Sequence, residues 1–400
     1  MSLMNKDLDM VLYGATGFTG TLCAEYLAKN LEPTKWAVAG RNSSKLEKLV
    51  QSIGVDVEVI VADADDIEGL NDMTARSKVV LSTAGPFHRY GSKLVAACVK
   101  NATHYVDITG ENFWVKGLIE KHHEEASKKG VRIIPSCGFD SIPSDLGSFY
   151  AIKKAGVPIS RVESFHSYKG EPSGGTLETM FSMPDVASAD DMTDPFLLNP
   201  SGSVSPEMEK NSKDKFGVTS RDVIQGFGGP FIMAGANTRV VRRSAALSEL
   251  MQEPYGVNFV YHEHAYHSSR LHAIKGIFGM AMIGVMLFSP LRKLLRPMFR
   301  QPGEGPSKEV RDAGWFDCKF ILETADGTKL VSSIRGDGDP GYKVTSKFLA
   351  ECALCLVHNA DELPGGKNYG GILTSATGLG MPLVERLKKV GIAFDDPKEI

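Results

Sequence analysis

Up to Pro135, short apolar runs alternate with stretches of helical periodicity. The runs fall at Met10–Tyr13, Trp36–Ala39, Val57–Val61, Val79–Ser82, His104–Asp107 and Arg132–Pro135. Between them, apolar positions recur at helical spacing near Gly20–Asn30, Ser43–Ser52, Ile67–Arg76, Gly91–Lys100 and Trp114–Lys129. Strands covered by helices on both faces lose the in-out alternation of a half-exposed sheet, as these runs do. The rhythm predicts an α/β fold with a Rossmann-type, doubly wound parallel sheet.

Beyond Asp145 the rhythm changes. Arg161–Tyr168, Asn237–Arg242, Val257–His262, Trp315–Glu323 and Lys329–Arg335 read as longer strands, the last two joined by an Asp326-Gly327 turn. They predict a second, mainly antiparallel α+β domain. Within it, Pro184–Arg221 is polar and rich in Ser, Pro, Asp and Lys, as expected of a mobile surface insertion or a cover over a site. Helix returns over Gly341–His358, where Val344, Phe348, Leu349, Cys352 and Leu356 mark one face, and over Pro382–Val390.

Composition narrows the class. A chain of 400 residues predicts two domains. Its net charge of −3 excludes a general nucleic-acid binder, which needs a basic face. Six scattered cysteines read as reduced thiols in the cytoplasm. Met1–Lys6 contains no apolar core of a signal peptide, and Met4 is an alternative start. From Gly276 to Leu291 the chain carries no charge, and Arg292, Lys293, Arg296 and Arg300 follow. A spanning helix needs roughly 17–25 apolar residues. This run is shorter, contains three glycines and ends in Ser289-Pro290, so it predicts a buried helix or a lipid-facing surface.

The strongest local signal is Gly14-Ala15-Thr16-Gly17-Phe18-Thr19-Gly20, set between an apolar strand and a helix. Glycines there admit a pyrophosphate to the backbone, and the helix start presents free N–H groups. The following strand ends in Gly40-Arg41-Asn42-Ser43-Ser44-Lys45 and carries no carboxylate for a ribose 2′-hydroxyl. Arg41 offers a planar fork to a 2′-phosphate, with Asn42, Ser43 and Lys45 beside it, which predicts NADP as the cofactor. Asp63 after the third strand is placed to accept from the adenine amino group. Ala84, Gly85 and Pro86 after the fourth form a bare turn under a ribose, and Gly110 and Gly138 follow the fifth and sixth.

These motifs resemble the saccharopine dehydrogenase-like oxidoreductases, a group that includes trans-acting enoyl reductases. The likeness rests on the glycine turn, Gly40-Arg41-Asn42, Ala84-Gly85-Pro86-Phe87 and Cys137-Gly138-Phe139-Asp140-Ser141-Ile142-Pro143-Ser144-Asp145. It continues through Pro172-Ser173-Gly174-Gly175-Thr176, Val241-Arg242-Arg243-Ser244 and Gly336-Asp337-Gly338-Asp339-Pro340-Gly341-Tyr342, and so covers almost the whole chain. It implies a nucleotide domain of residues 1–148 completed by 340–400. Residues 149–339 would then form an inserted domain for substrate and dimerisation.

Hydride transfer belongs to the cofactor, and the protein must orient substrate and manage a proton. Asp140, Ser141 and Tyr342 are the candidate catalytic residues; Glu111 and Tyr90 could orient or donate, and Asp140 and Ser141 could equally cap a helix. Tyr150 and Lys154 copy a dehydrogenase spacing but follow the sixth strand, away from the cleft. Cys352 and Cys355 fall in an apolar helix and predict buried thiols, and His262 with His264 lacks further ligands, so no metal is expected. The Arg242-Arg243 pair reads either as an anion grip or as a solvated strand edge. The expected function is NADPH-dependent reduction of an apolar enoyl, acyl or polyketide-like substrate. Saccharopine-type imine chemistry and a non-enzymatic, lipid-associated NADP-binding scaffold are the alternatives. Candidate partners are an apolar small molecule, a lipid surface through 276–300 and a second copy of the chain.

Overall fold

A computed structural model describes residues 6–30 and 32–400. Met1–Asn5, with the alternative start at Met4, lie outside the described residues. The apolar runs of the first region are β1 (Leu8–Tyr13), β2 (Trp36–Gly40), β3 (Glu58–Val61), β4 (Ser77–Ser82), β5 (His104–Asp107) and β6 (Arg132–Ile134). All are parallel, in the order β6-β5-β4-β1-β2-β3. Val11, Leu12, Val79, Val80 and Leu81 are buried, as strands covered on both faces must be. Strand order reverses between β1 and β4, which opens a crevice at the carboxyl ends of these two strands.

The second sheet is built from β7 (Ile159–Lys169), β8 (Thr219–Arg221), β9 (Gly226–Gly229), β10 (Val260–His267), β11 (Trp315–Thr324) and β12 (Lys329–Asp337). Its pairs are antiparallel except β7 with β10. The chain then visits both sheets again. β13 (Gly371–Ile372) extends the first beside β6, and β14 (Ala393–Glu399) pairs with β12 at the edge of the second. Met10, Leu12 and Val106 of the first sheet share one core with Phe316, Phe320 and Ile334 of the second, through the helices Ile142–Ala155 and Thr345–His358.

Several sequence expectations are corrected. The boundary at residue 148 cuts the continuous Ile142–Ala155 helix, and the tail after 340 is divided, because β14 completes the second sheet. Asn237–Arg242 is not a strand but part of the Ala234–Leu250 helix. Its arginines suggested a polar strand face, yet all three are buried: Arg242 and Arg243 donate to backbone carbonyls, and Arg239 to the Asp214 carboxylate and the Asp194 carbonyl. The strand expected from Val257 begins at Val260 and runs on to His267, because Asn258 has a left-handed φ of 50°.

Those arginines also explain the polar insertion. Arg239 pairs with Asp214 at 2.7 Å, Arg242 donates to the Pro195 carbonyl at 2.9 Å, and Arg243 donates to the Leu198 carbonyl. A segment expected to be mobile is stapled to a helix at three points and contains the helices Ala189–Thr193 and Pro206–Asn211. The apolar run resolves the other way. It lies in a helix, Arg270–Phe288, of which only Ala273 is buried, so the core-helix alternative fails.

Candidate active site

A cavity of about 1040 Å³ runs from the carboxyl ends of the first sheet to the Arg270–Phe288 helix. At its nucleotide end the β1 turn is shaped by what a side chain would hit. Gly14 has φ +79°, and a Cβ there would stand 2.9 Å from the Ala84 nitrogen. A Cβ on Gly20 would stand 2.3 Å from the Gly14 carbonyl oxygen. Only glycine lets strand, turn and helix close this tightly. The helix Phe18–Leu27 starts at Gly17 without a side-chain cap, so its first N–H groups are free to meet an anion. This bare cradle fits a dinucleotide pyrophosphate.

Most of the cofactor residues read from the sequence meet here. Gly14, Thr16, Gly17, Phe18 and Thr19 line the cavity at the turn, Arg41 and Asp63 beyond it. Among the described residues, the Arg41 side chain has no hydrogen bond or ion pair, which leaves its guanidinium free for a ligand. Ala84, Gly85, Pro86, Gly110 and Gly138 line the middle. Four residues stand apart. Ala15 is buried in the core. Asn42 caps the Ser43–Ile53 helix by accepting from the Lys45 N–H at 2.9 Å, Ser43 donates to Glu47 at 2.7 Å, and Lys45 does not line the cavity. Helix capping has used the Asn42 side chain behind Arg41, and Glu47 the Ser43 hydroxyl.

Where the first sheet faces the second, two carboxyl groups line the cavity. Asp140 follows β6, and Glu263 stands on β10. Burial, reinforced by the charge of Glu263, pushes Asp140 up to about 6. Burial pushes Glu263 up to about 7 against the hydrogen bonds that favour its charged form. Its carboxylate accepts from Asn237 Nδ2 at 2.6 Å and from the Tyr261 hydroxyl at 2.9 Å. Ser141 does not reach the cavity; it is buried and donates to Asn237 Oδ1 at 3.1 Å. Its φ of 130° is strained for a residue with a side chain. The chain Ser141–Asn237–Glu263 therefore ties the β6 turn to the second sheet.

Tyr342 does line the cavity, but its hydroxyl is engaged by the Ser173 N–H and, at 2.8 Å, by Thr176. Its ring meets Phe18 edge-on at 5.2 Å between centroids. It thus joins the glycine turn to the Gly174–Val186 helix and serves as a positioning residue. Glu111 is likewise committed, accepting from the N–H groups of Phe87 and His88 at 2.8 Å each and from the His88 ring at 2.6 Å. Tyr90 remains at the cavity wall, half exposed.

The far end is apolar. Met180 and Met183 face it from the Gly174–Val186 helix, and Met280, Ile283 and Leu287 from the Arg270–Phe288 helix. Unbranched methionines adapt to irregular apolar ligands. The remaining motifs lie elsewhere or are occupied. Tyr150 donates to Asp396 behind the second sheet, Cys352 and Cys355 are buried thiols, and His262 Nε2 lies 3.0 Å from the Asn211 carbonyl oxygen. Arg242 and Arg243 grip backbone and no ligand. Glu263 was missed in the sequence because a lone carboxylate between two histidines on a strand carries no local signal. Only its pairing across the cleft reveals it.

The saccharopine dehydrogenase NADP-binding domain family matches residues 10–134. Over 420 residues the chain is 36% identical to a Mycobacterium tuberculosis protein provisionally named a trans-acting enoyl reductase, covering 98% of both chains. It is 34% identical to a trans-acting enoyl reductase of Mycobacterium bovis, over 98% of this chain and 99% of that one. The apo saccharopine dehydrogenase (L-Glu forming) of Saccharomyces cerevisiae shares the fold, with a TM-score of 0.54 at 15% identity, over 98% of this chain and all of that one. With its glycine cradle, its free Arg41 and full-length kinship of this kind, the chain is an NADP-dependent oxidoreductase of the saccharopine dehydrogenase-like family, to which trans-acting enoyl reductases belong.

Proposed function

We propose that the protein reduces the carbon–carbon double bond of an apolar α,β-unsaturated acyl group with NADPH. The observation that carries this reading is one continuous cavity. It joins the glycine cradle to a methionine-lined pocket and passes Asp140 and Glu263 on the way. The names of the mycobacterial relatives support the same reading.

When bound, NADPH would supply the hydride needed at the β-carbon of the acyl group. The free N–H groups of Phe18 and Thr19 would hold the pyrophosphate, Arg41 the 2′-phosphate, and Asp63 the adenine amino group. Ala84, Gly85 and Pro86 would form the floor under a ribose, with Gly110 and Gly138 toward the nicotinamide. Asp140 gives its proton to the α-carbon and so completes the saturated product. Glu263 holds the second proton of the pair, and Ser141 and Tyr342 fix the two walls. The saccharopine alternative fits less well, because an amino-diacid substrate needs free cations, and the Arg89 and Lys215 of the lining already face Glu178 and Glu163. We place the protein in the cytoplasm, in contact with lipid through residues 276–300.

The test is consumption of NADPH with crotonyl-pantetheine and a long-chain enoyl-pantetheine, with the saturated thioesters identified by mass. Tight NADPH binding without turnover of any enoyl thioester would overturn the reading and leave the scaffold alternative.

A further inference from the structure

The Arg270–Phe288 helix is apolar on both sides, and the two sides do different things. At about 100° per residue, Met280, Ile283, Gly284 and Leu287 fall on one face, and these line the cavity. Leu271, Phe278, Met282 and Val285 fall on the opposite face, and all four are exposed, Met282 by 74%. The exposed stripe continues past Pro290 through Leu291, Leu294 and Met298. A helix that is hydrophobic all round belongs in a core or against lipid, and this one is not in a core. It is long and apolar enough to cross a bilayer by composition. However, its inner face is the cavity wall, so it cannot be ringed by lipid.

We infer that the outer face of this helix docks flat on an anionic lipid surface, and that the apolar substrate enters from the lipid phase at the end of the helix near Phe288. The inference rests on the apolar substrate proposed above. Two observations favour lipid over a second copy of the chain. The stripe carries no polar side chain between Phe278 and Phe288, whereas protein interfaces carry about one hydrogen bond per 100–200 Å². Cations also stand at its two ends. Arg270 and Lys275 on one side and Lys293 on the other have no ion pair among the described residues, which suits them to anionic headgroups. Arg292, Arg296 and Arg300 do not serve this way, because they pair with Asp185, Glu178 and Glu171 beside the Gly174–Val186 helix. These pairs brace the end of the apolar helix against the neighbouring wall.

The entrance is read from two aromatic rings. Phe288 is 57% exposed and Phe216 is 68% exposed, yet both line the cavity. The cavity therefore opens beside the end of the Arg270–Phe288 helix, within the exposed stripe. An acyl chain sliding from the lipid past Phe288 would meet Leu287, Ile283 and Met183 before it reached Asp140.

The experiment is flotation of the full chain with vesicles of phosphatidylcholine, alone or mixed with phosphatidylglycerol, beside the variant F278D/M282D/V285D. These side chains are exposed and outside the cavity, so the variant keeps NADPH binding and its rate on crotonyl-pantetheine. The wild type should float, more strongly with phosphatidylglycerol, and the variant should lose vesicle binding by more than about tenfold. The variant should also lose turnover of a long-chain enoyl thioester dissolved in vesicles. Failure of the wild type to float overturns the inference. So does a vesicle-free dimer, seen by sedimentation, that the variant converts to monomer, since the stripe is then the interface between copies. Flotation needs no turnover. Vesicle binding by a protein that reduces no enoyl thioester would therefore refute the proposed reaction and leave the docking surface standing.

Discussion

At the nucleotide end of the cavity the walls are backbone: Gly14, Gly85, Gly110 and Gly138 come from the turns that follow β1, β4, β5 and β6. At the far end the walls are side chains, Met180 and Met183 facing Met280, Ile283 and Leu287 from two helices. The first end offers fixed N–H dipoles to a ligand whose charges are known in advance. The second offers adaptable apolar surface to a ligand recognised by shape and hydrophobicity. Asp140 and Glu263 stand at the boundary, where burial raises both carboxyl groups above the usual carboxylate range. On the proposed function, one end holds the cofactor, the other accommodates the substrate, and the two carboxyl groups stand between them.

This contrast can be broken most severely at Gly14. Gly14→Val places a branched side chain where even a Cβ meets the Ala84 nitrogen, at a φ that such residues avoid. NADPH binding should be lost in a fluorescence titration, with the circular dichroism of the second sheet retained. Asp140→Asn removes the proton and keeps the shape. The rate constant kcat should fall by about 10²–10⁴ with the Kd for NADPH unchanged.

The same substitution has a sign in stability. A carboxyl group raised from 3.8 to about 6 contributes fully below 3.8, and that contribution is lost as pH rises through about 6. The wild type therefore forfeits up to about 3 kcal/mol across that window, an upper bound that the amide variant avoids. Asp140→Asn should melt above the wild type at neutral pH, and the difference should vanish in acid. Equal melting curves at both pH values would show that Asp140 is not held in a raised state.

Smaller effects sharpen each end separately. Arg41→Ala should weaken NADPH by about 10–100-fold, the value of charge-assisted hydrogen bonds to a phosphate, and leave NADH unaffected. A parallel loss for both nucleotides would place Arg41 away from the 2′-phosphate. Leu287→Trp should narrow the far pocket. Expected is a loss of about tenfold in kcat/KM for long-chain enoyl thioesters, with crotonyl-pantetheine and NADPH binding unchanged.

The amino-acid sequence by itself determined the parts whose causes are local. A strand, a glycine turn and a helix within Met10–Asn30 already require a dinucleotide cradle, and Arg41 sits a fixed distance along the same βαβ unit. The parallel strands were legible for the same reason, since each is a short apolar run bounded by turns. Tertiary structure decided what depends on distant neighbours. Arg239, Arg242 and Arg243 look solvated in isolation; they are buried because the carbonyls and the carboxylate of the insertion arrive to accept from them. Ser43 and Lys45 look like phosphate ligands, yet their backbone turn is consumed by the Asn42 cap. Glu263 becomes a functional candidate only when β10 is laid across from the β6 turn. The apolar run from Gly276 is equally consistent with core and surface. Only packing shows one face on a cavity and the other on solvent, because burial belongs to the whole fold and periodicity to a single helix.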